Sequence, residues 1–221
     1  MTLTATGTSP ASSASTEKLL LQEALRAASR AAHHRIDHHP LLSPLARADL
    51  TLSHYQFVLQ AQTWIHGSLQ GVLEQALSRL CSATTFRVSD RLGWLKADCA
   101  FFKLPSLPLS PLRAPVIATP AALVGQLYVV EGSTLGGQVI ARQLEVSLGL
   151  TAETGARMFA GHGANTAERW QSFWDFAAAS CPAADVPVAC AAAVELFAYF
   201  GEGFDRVLQD NEAKRTAGRH G

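Results

Sequence analysis

Apolar side chains recur along most of the chain at intervals of three and four residues, the spacing that places them on one face of an α-helix. No stretch alternates apolar and polar residues between turn signals, as a half-buried β-strand would. The pattern therefore predicts an all-α protein with about seven or eight helices. The predicted helices cover residues 16–37, 53–81, 89–103, 119–150, 151–160, 165–181 and 185–208.

Capping residues and prolines indicate where these helices begin and end. Ser53 and Gln56 form a capping box at the start of the second helix, and Asn165 with Glu168 repeats the pattern later in the chain. Residues 104–120 contain five prolines, which exclude a regular helix or a central strand. We therefore predict an irregular connector that runs over the surface between two helices.

The chain is long enough for one domain with a substantial core, because 48% of its 221 residues are hydrophobic. Residues 1–15 are rich in Ser, Thr, Ala and Gly, a composition that cannot offset the entropy of ordering, so we predict disorder there. The domain is expected to span residues 16–210, and the polar tail 211–221 is expected to fray.

Charge and hydropathy argue against several classes of protein. The 18 basic and 18 acidic side chains balance to zero, which argues against a nucleic-acid partner. There is no signal peptide and no continuous apolar run of about 18 residues, so we expect a cytoplasmic protein without a membrane partner. The four cysteines form no C-x-x-C pair and are expected to be reduced thiols that mostly pack.

Three glycines interrupt the apolar helix predicted over residues 119–150. Gly132, Gly136 and Gly137 together weaken a helix by roughly 2–3 kcal/mol relative to alanine. Close packing against another helix, or a break into two helices, would explain them. A flat ligand lying directly on the backbone would explain them as well, with Ser133 and Thr134 at its edge.

Histidines cluster at the end of the first predicted helix: His33, His34, His38 and His39. An exposed patch of this kind is often only solvated surface. His33 and Asp37, however, are four residues apart and share a helix face, so the carboxylate can accept a hydrogen bond from one ring nitrogen and leave the other for a metal. Arg26 lies two turns before His33 on the same side, where a cation can meet an anionic ligand.

Two runs together carry a resemblance to a known family. The run ALRAASRAAHHRID (24–37) and the run LYVVEGSTLGGQVIARQL (127–144) resemble the proximal and distal helix motifs of the haem oxygenases. The bacterial, bacteriophytochrome-associated branch is the most similar. The resemblance extends in helix order over residues 17–210. It implies a single-domain, multi-helical fold with haem between a proximal helix and a kinked distal helix.

The resemblance assigns roles to residues of both helices. His33 matches the proximal ligand of the haem iron, and it follows Ser29 by four residues where the family usually has Thr. Arg26 matches a basic residue near a haem propionate, and Asp37 matches an acidic residue that hydrogen-bonds the proximal imidazole. His34 matches no ligand position.

On the distal helix, Gly132, Gly136 and Gly137 match glycines that let the helix bend across the haem face. There is one departure, because Ser133 stands where the mammalian-type motif has an aspartate that organises distal water. A serine hydroxyl donates and accepts hydrogen bonds but carries no negative charge. Ser133, Thr134 or water held by the backbone would have to replace that carboxylate.

The activity implied by the resemblance is oxidative opening of haem b with O2 to biliverdin, CO and ferrous iron. Haem is then both substrate and cofactor, and the protein supplies an axial ligand, water placement and a choice of meso edge. Electrons must come from an external reductase, a ferredoxin or ascorbate, because no G-x-G-x-x-G fingerprint follows a strand. The most similar branch implies that the bilin goes to a bacteriophytochrome.

Three other classes of protein are alternatives to a haem oxygenase. A non-catalytic haem carrier would keep His33 and the pocket but lack turnover. A helical di-iron oxidase needs Glu-x-x-His pairs, and no Glu in the chain has a His three residues later. A thiol-dependent hydrolase would need a reactive Cys99, which lies in an apolar helical run where a packing role is favoured. His54, His66 and His162 are interpreted as core or surface residues and receive no role.

Overall fold

A computed structural model of the protein describes residues 10–217, with side chains from residue 15 onward, and within this part of the chain there is no strand. The prediction of an all-α fold is confirmed. Seven α-helices follow one another, and short 3₁₀ turns at Ser43–Ala46, Gly163–Asn165 and Ala183–Asp185 connect some of them. The helices are α1 (Pro10–Asp37), α2 (Leu52–Leu80), α3 (Arg91–Phe101), α4 (Pro120–Leu148), α5 (Arg157–Ala160), α6 (Thr166–Ser180) and α7 (Val186–Ala217).

The core lies around α4, which packs along α7 and α6, while α1 packs along the other side of α7. Gly125 marks the place where α4 and α7 approach most closely, because a Cβ added there would overlap the carbonyl oxygen of Ala189. Only glycine allows two helix backbones to come so near. The position of α4 against α7 is therefore set by a missing side chain.

One stretch, Ala183–Ala217, is long and apolar enough to cross a membrane by length and composition alone. It contains α7, whose buried residues include Leu196, Phe200 and Phe204. These side chains belong to the hydrophobic core, and α7 packs against α1 and α4. The burial of this helix in the core accounts for its apolar character.

The glycine-rich helix is continuous in the structure. Helix α4 begins after Thr119, whose side chain accepts a hydrogen bond from the Ala122 N–H at 3.1 Å, as its sequence predicts. It ends at Gly149, which has a positive φ of 67°. The alternative in which the glycines break the segment into two helices is therefore wrong. Residues 104–118, before it, have neither helix nor strand, which confirms the predicted connector.

Two predicted caps are wrong. Helix α2 begins two residues earlier than its capping box requires, because Thr51 is the N-cap and accepts the His54 N–H at 3.2 Å, so Ser53 lies inside the helix. At α6, Asn165 makes no side-chain cap hydrogen bond, since its backbone belongs to a 3₁₀ turn with φ −87° and ψ 5° instead of the extended N-cap conformation. Thr166 instead donates its hydroxyl to the carbonyl of Gly163.

The ends of several elements also differ from the sequence pattern. Helix α1 begins at Pro10, so residues 10–15 of the segment predicted to be disordered are helical, while residues 1–9 lie outside the described part. Adding residues to an existing helix costs far less than starting one, which accounts for this extension. At the other end α7 continues to Ala217, beyond residue 210, and residues 218–221 are not described. The domain bounds 16–210 stay a prediction.

Candidate functional site

A cavity of about 900 Å³ lies between α1 and α4, and side chains of α2, α6 and α7 complete its wall. This volume is within the range of small-molecule and cofactor sites. Residues that are about 100 positions apart in the sequence therefore meet around one space. The predicted site residues in its wall are Arg26, His33 and Asp37 from α1, and Gly132, Ser133, Gly136 and Gly137 from α4.

On the α1 side, His33 is oriented by Asp37. Its Nδ1 lies 2.7 Å from a carboxylate oxygen of Asp37, and its ring meets Phe197 edge-on with the centroids 5.5 Å apart. No described residue forms a hydrogen bond with His33 Nε2, so that nitrogen is available to a metal. Arg26 lies in the same wall and forms no ion pair within residues 15–217.

The other histidines of this cluster do not belong to the cavity wall. The rings of His34 and His38 stack on each other at 4.0 Å and are exposed, as expected for solvated surface. His39 is buried, its Nδ1 accepts the Leu41 N–H at 3.1 Å, and its Nε2 lies 3.2 Å from Asp205. Of the four clustered histidines, His33 is the one that faces the cavity.

On the α4 side, the three glycines serve two purposes. A Cβ at Gly132 would lie 3.2 Å from the Trp170 ring, and one at Gly137 would lie 3.0 Å from the carbonyl oxygen of Phe159, so both allow close packing. A Cβ at Gly136, which also lines the cavity, would meet nothing within 4 Å. Packing therefore explains two of the glycines, and Gly136 leaves bare helix backbone beside open space.

Thr134 was predicted to lie at the ligand's edge, and it is not among the residues that line the cavity. It is buried, and its hydroxyl donates to the carbonyl of Glu131 at 2.6 Å. Residues 131, 134 and 138 share one face of the helix, which turns by 100° per residue, while 132, 133, 136 and 137 form the neighbouring face. The Glu131 carboxylate accepts hydrogen bonds from Ser89 on the face that residues 131, 134 and 138 share.

Three polar residues of the wall were missed by the sequence analysis: Gln62, His66 and Arg91. All three are buried, and each has an atom with no hydrogen-bond partner, namely Gln62 Oε1, His66 Nδ1 and Arg91 Nε. His54 and His162, by contrast, are hydrogen-bonded as ordinary structural residues. The one available signal was the spacing of Gln62 and His66, four residues apart on an apolar helix.

Ser133 is held in place by Arg91. A guanidinium nitrogen of Arg91 donates to Ser133 Oγ at 2.7 Å and to the Val130 carbonyl at 2.6 Å. The Ser133 hydroxyl in turn donates to that same carbonyl at 2.8 Å. The hydroxyl proton is thus already used within α4, and Arg91 places a fixed positive charge at this part of the wall.

Burial lowers the pKa of His66 and of Arg91, the two ionisable residues among these three. It lowers the pKa of His66 to about 3, with the positive charge of Arg91 acting in the same direction, so His66 is neutral at physiological pH. Burial also lowers the pKa of Arg91 to about 10, against the opposing effect of Glu131, so Arg91 stays cationic. A neutral imidazole and a cation therefore stand in the wall on the α4 side.

Aromatic rings form a further part of the wall. Tyr128, Trp170 and Trp174 pack together with ring centroids 5.0–6.0 Å apart. Phe197 and Phe200 contribute from α7. Such a lining suits a flat, largely apolar ligand with a few polar substituents.

The metal chemistry open to this site is narrow. Within the described residues no group of three or more His, Cys, Asp or Glu side chains is arranged to hold a metal ion. A metal bound through His33 alone would need its other ligands from the bound compound, as in a metalloporphyrin.

The four cysteines are free thiols, as predicted. Cys99 lies 3.2 Å from the hydroxyl of Thr63, and burial raises the pKa of its thiol. A thiol with a raised pKa is a poor nucleophile at neutral pH. The hydrolase alternative therefore has no support from the surroundings of Cys99.

Comparison with known proteins agrees with this geometry. The family model described as Heme oxygenase matches residues 109–206. The chain is similar in structure to the NO- and CO-bound heme oxygenase from Neisseria meningitidis, with a TM-score of 0.70 and 21% identity over 85% of this chain and 91% of that one. It is also similar to the heme oxygenase from Leptospira interrogans, with a TM-score of 0.67 and 17% identity over 84% and 98% of the two chains. No curated protein sequence matches the chain significantly. Residues 109–206 thus match the heme oxygenase family, and the chain has the heme oxygenase fold.

Proposed function

We propose that this protein is a haem oxygenase that binds haem b in the cavity between α1 and α4 and opens it to biliverdin, CO and ferrous iron. The observation that carries the proposal is the pairing of two features across one cavity. His33 offers an oriented imidazole from α1, and Gly136 leaves the backbone of α4 bare. A flat macrocycle with a metal at its centre needs both.

The wall fits haem in its polar details as well as in its shape. Buried polar atoms without partners are rare, because each costs about 1–3 kcal/mol. Of the seven such side-chain atoms among the described residues, three belong to Gln62, His66 and Arg91, which line the cavity. These atoms can hydrogen-bond water or oxygen species that are held near a ligand.

On the proximal side, Nε2 of His33 would bind the haem iron. The Asp37 carboxylate accepts the Nδ1–H, which fixes the tautomer and makes the imidazole a stronger donor. Arg26 would pair with a propionate at the mouth of the cavity. When bound and reduced, haem itself supplies the O2 chemistry, and the electrons come from an external reductase, a ferredoxin or ascorbate.

On the distal side, uncharged polar groups and one cation would together organise the water that the family's aspartate otherwise holds. Gln62 Oε1 is available to accept a hydrogen bond from water, the neutral His66 Nδ1 to accept or donate one according to its tautomer, and Arg91 Nε to donate one. Ser133 acts with Arg91, which holds its hydroxyl at 2.7 Å. In this arrangement ordered water, rather than Ser133 alone, delivers protons.

Two further parts of the proposal rest on the sequence motifs rather than on geometry. The similarity of the runs 24–37 and 127–144 to the bacteriophytochrome-associated branch supports biliverdin as the product. It also supports a phytochrome as the protein that receives it, and a cytoplasmic site of action.

The test is a hemin titration followed by turnover under air with ascorbate or a ferredoxin system. The expected result is a Soret band that is lost while biliverdin absorbance grows. A Soret band that persists in the presence of the reductant would favour the haem carrier instead. His33→Ala should abolish the histidine-ligated ferric spectrum, and an unchanged spectrum would show that the iron is bound elsewhere.

A further inference from the structure

The Glu131 carboxylate, next to the glycine cluster, is not part of the cavity wall, and both of its oxygens bond to a single residue. One oxygen of Glu131 accepts the backbone N–H of Ser89 at 2.9 Å, and the other accepts the Ser89 hydroxyl at 2.5 Å. Glu131 is 3% exposed and Ser89 is 2% exposed. This contact joins the distal helix α4 to the loop that precedes α3.

The hydroxyl of Ser89 has a second partner, His162. The Nε2 of His162 lies 2.8 Å from Ser89 Oγ, and because the hydroxyl proton goes to Glu131, the ring nitrogen donates to Ser89. Burial, helped by the charge of Arg169, lowers the pKa of His162, while Glu131 opposes this effect. The ring also meets Trp94 edge-on at 5.0 Å. Ser89 is therefore fixed from two sides.

Two residues after Ser89, the chain returns to α4. The backbone N–H of Arg91 donates to the Ser89 carbonyl at 2.8 Å. Its guanidinium then reaches the Val130 carbonyl at 2.6 Å and Ser133 Oγ at 2.7 Å. A carboxylate from α4 thus holds the loop, and a cation from the first residue of α3 holds α4 at Val130 and Ser133, on either side of that carboxylate.

We propose that Glu131 is a positioning residue, which acts through Ser89 to fix Arg91 and Ser133 on the distal side of the haem without touching the ligand itself. The inference rests on the proposed function for the identity of the ligand. The nature of the contact supports a specific role, because burying a carboxylate is costly and an apolar residue would fill the same space without that cost. Glu131 forms no ion pair within residues 15–217, and Arg91 is the cation whose charge reaches it.

The test compares Glu131→Gln with the wild type and with Glu145→Gln, a change of the same chemistry at an exposed position of α4. Ferric haem complexes are titrated with fluoride, whose affinity reports on distal hydrogen-bond donors, and the pH midpoint for conversion of bound water to hydroxide is measured. For Glu131→Gln we expect fluoride affinity to fall about tenfold, because roughly one charged hydrogen bond to the bound fluoride is lost. Hemin affinity should change by less than about twofold. The hydroxide midpoint should rise, because a displaced Arg91 no longer stabilises the anion.

A double variant separates positioning from a general effect on the fold. Arg91→Met alone should lower fluoride affinity at least as much as Glu131→Gln, and adding Glu131→Gln to it should change the affinity by less than about twofold. Additive effects, or a Glu131→Gln protein that behaves like Glu145→Gln, would overturn the inference. If Glu131→Gln does not fold, Ser89→Ala takes its place, because it removes one of the two hydrogen bonds and keeps the charge.

A measurement on the haem-free protein tests the positioning role of Glu131 independently of the proposed haem oxygenase function. In the haem-free protein the Arg91 Nε–H should give a resolved proton–nitrogen NMR signal that shifts or broadens in Glu131→Gln and not in Glu145→Gln. Failure of the wild type to bind hemin would refute the proposed function while this signal still tests the positioning role. Hemin binding together with an unchanged Arg91 signal and unchanged fluoride affinity would refute the positioning role alone.

Discussion

Replacing Gly136 by alanine should change protein stability and haem affinity in opposite directions. The new Cβ would meet no atom within 4 Å, and Gly136 lies inside helix α4. An alanine in a helix is more favourable than a glycine by about 0.5–1 kcal/mol, because glycine loses more backbone entropy on folding. For a chain of this length the haem-free Gly136→Ala protein should therefore melt roughly 1–4 °C higher than the wild type.

Haem binding should suffer from the same methyl group, because it occupies space in the cavity where the porphyrin is proposed to lie. Adding a methyl group to a well-packed contact costs about 1–3 kcal/mol. This cost corresponds to hemin binding that is weaker by about 5- to 150-fold. The two effects have opposite signs only if the ligand lies directly on Gly136.

Gly71→Ala is the matched control. Gly71 is an exposed residue inside α2, and a Cβ there would also meet nothing within 4 Å. It should raise the melting temperature by a similar amount and leave hemin affinity unchanged. Thermal melts of the haem-free proteins and hemin titrations of all three test the pair. Unchanged hemin affinity in Gly136→Ala, together with the higher melting temperature, would mean that haem does not contact this part of α4.

Three further changes test other parts of the structure. Gly125→Ala should destabilise the protein by at least about 3 kcal/mol in urea unfolding, since its Cβ would overlap the carbonyl of Ala189, and a loss below about 1 kcal/mol would contradict the close approach of α4 and α7. Asp37→Asn should weaken hemin binding about 10- to 100-fold by removing the charge that orients His33, and an unchanged affinity would exclude that role. His66 has a folded-state pKa of about 3, below its ordinary 6.5, so the unfolded state binds the extra proton and stability falls as pH falls between these values. Replacing it by Leu should remove up to about 1.4 kcal/mol per pH unit from that slope, measured by urea unfolding from pH 7 to pH 5, and equal slopes would refute the burial argument.

The fold could be predicted from the sequence to a large extent because apolar spacing is a strong signal over long helices. The end of α1 at Asp37 and the start of α4 after Thr119 agree with the predicted helices over residues 16–37 and 119–150. Local caps were less certain, since several polar residues compete near each helix start. At α2, Thr51 rather than Ser53 has the extended backbone that an N-cap needs, and only the structure distinguishes them.

The site could be predicted only in part. His33 and Gly136 belong to runs with a recognisable pattern. Gln62 and His66, by contrast, stand on a helix with many other polar residues, and most buried polar side chains have partners in the core. Their missing partners become visible only when all neighbours are known. Thr134 lies outside the cavity wall for a geometric reason, because one residue along a helix means a rotation of 100° and so a different face.

Two explanations of the glycine cluster apply at different positions of α4. Close packing explains Gly132 and Gly137, and bare backbone beside the cavity explains Gly136. Three glycines cost α4 roughly 2–3 kcal/mol of intrinsic helix stability, yet the helix is continuous. Contacts from outside the helix offset that cost: Arg91 binds the Val130 carbonyl, and Ser89 donates two hydrogen bonds to Glu131. The glycine-rich stretch of α4 is thus supported by Ser89 on the side that turns away from the cavity and by Arg91 within the cavity wall. A helix can present bare backbone to a ligand when the residues beside the glycines are anchored in this way.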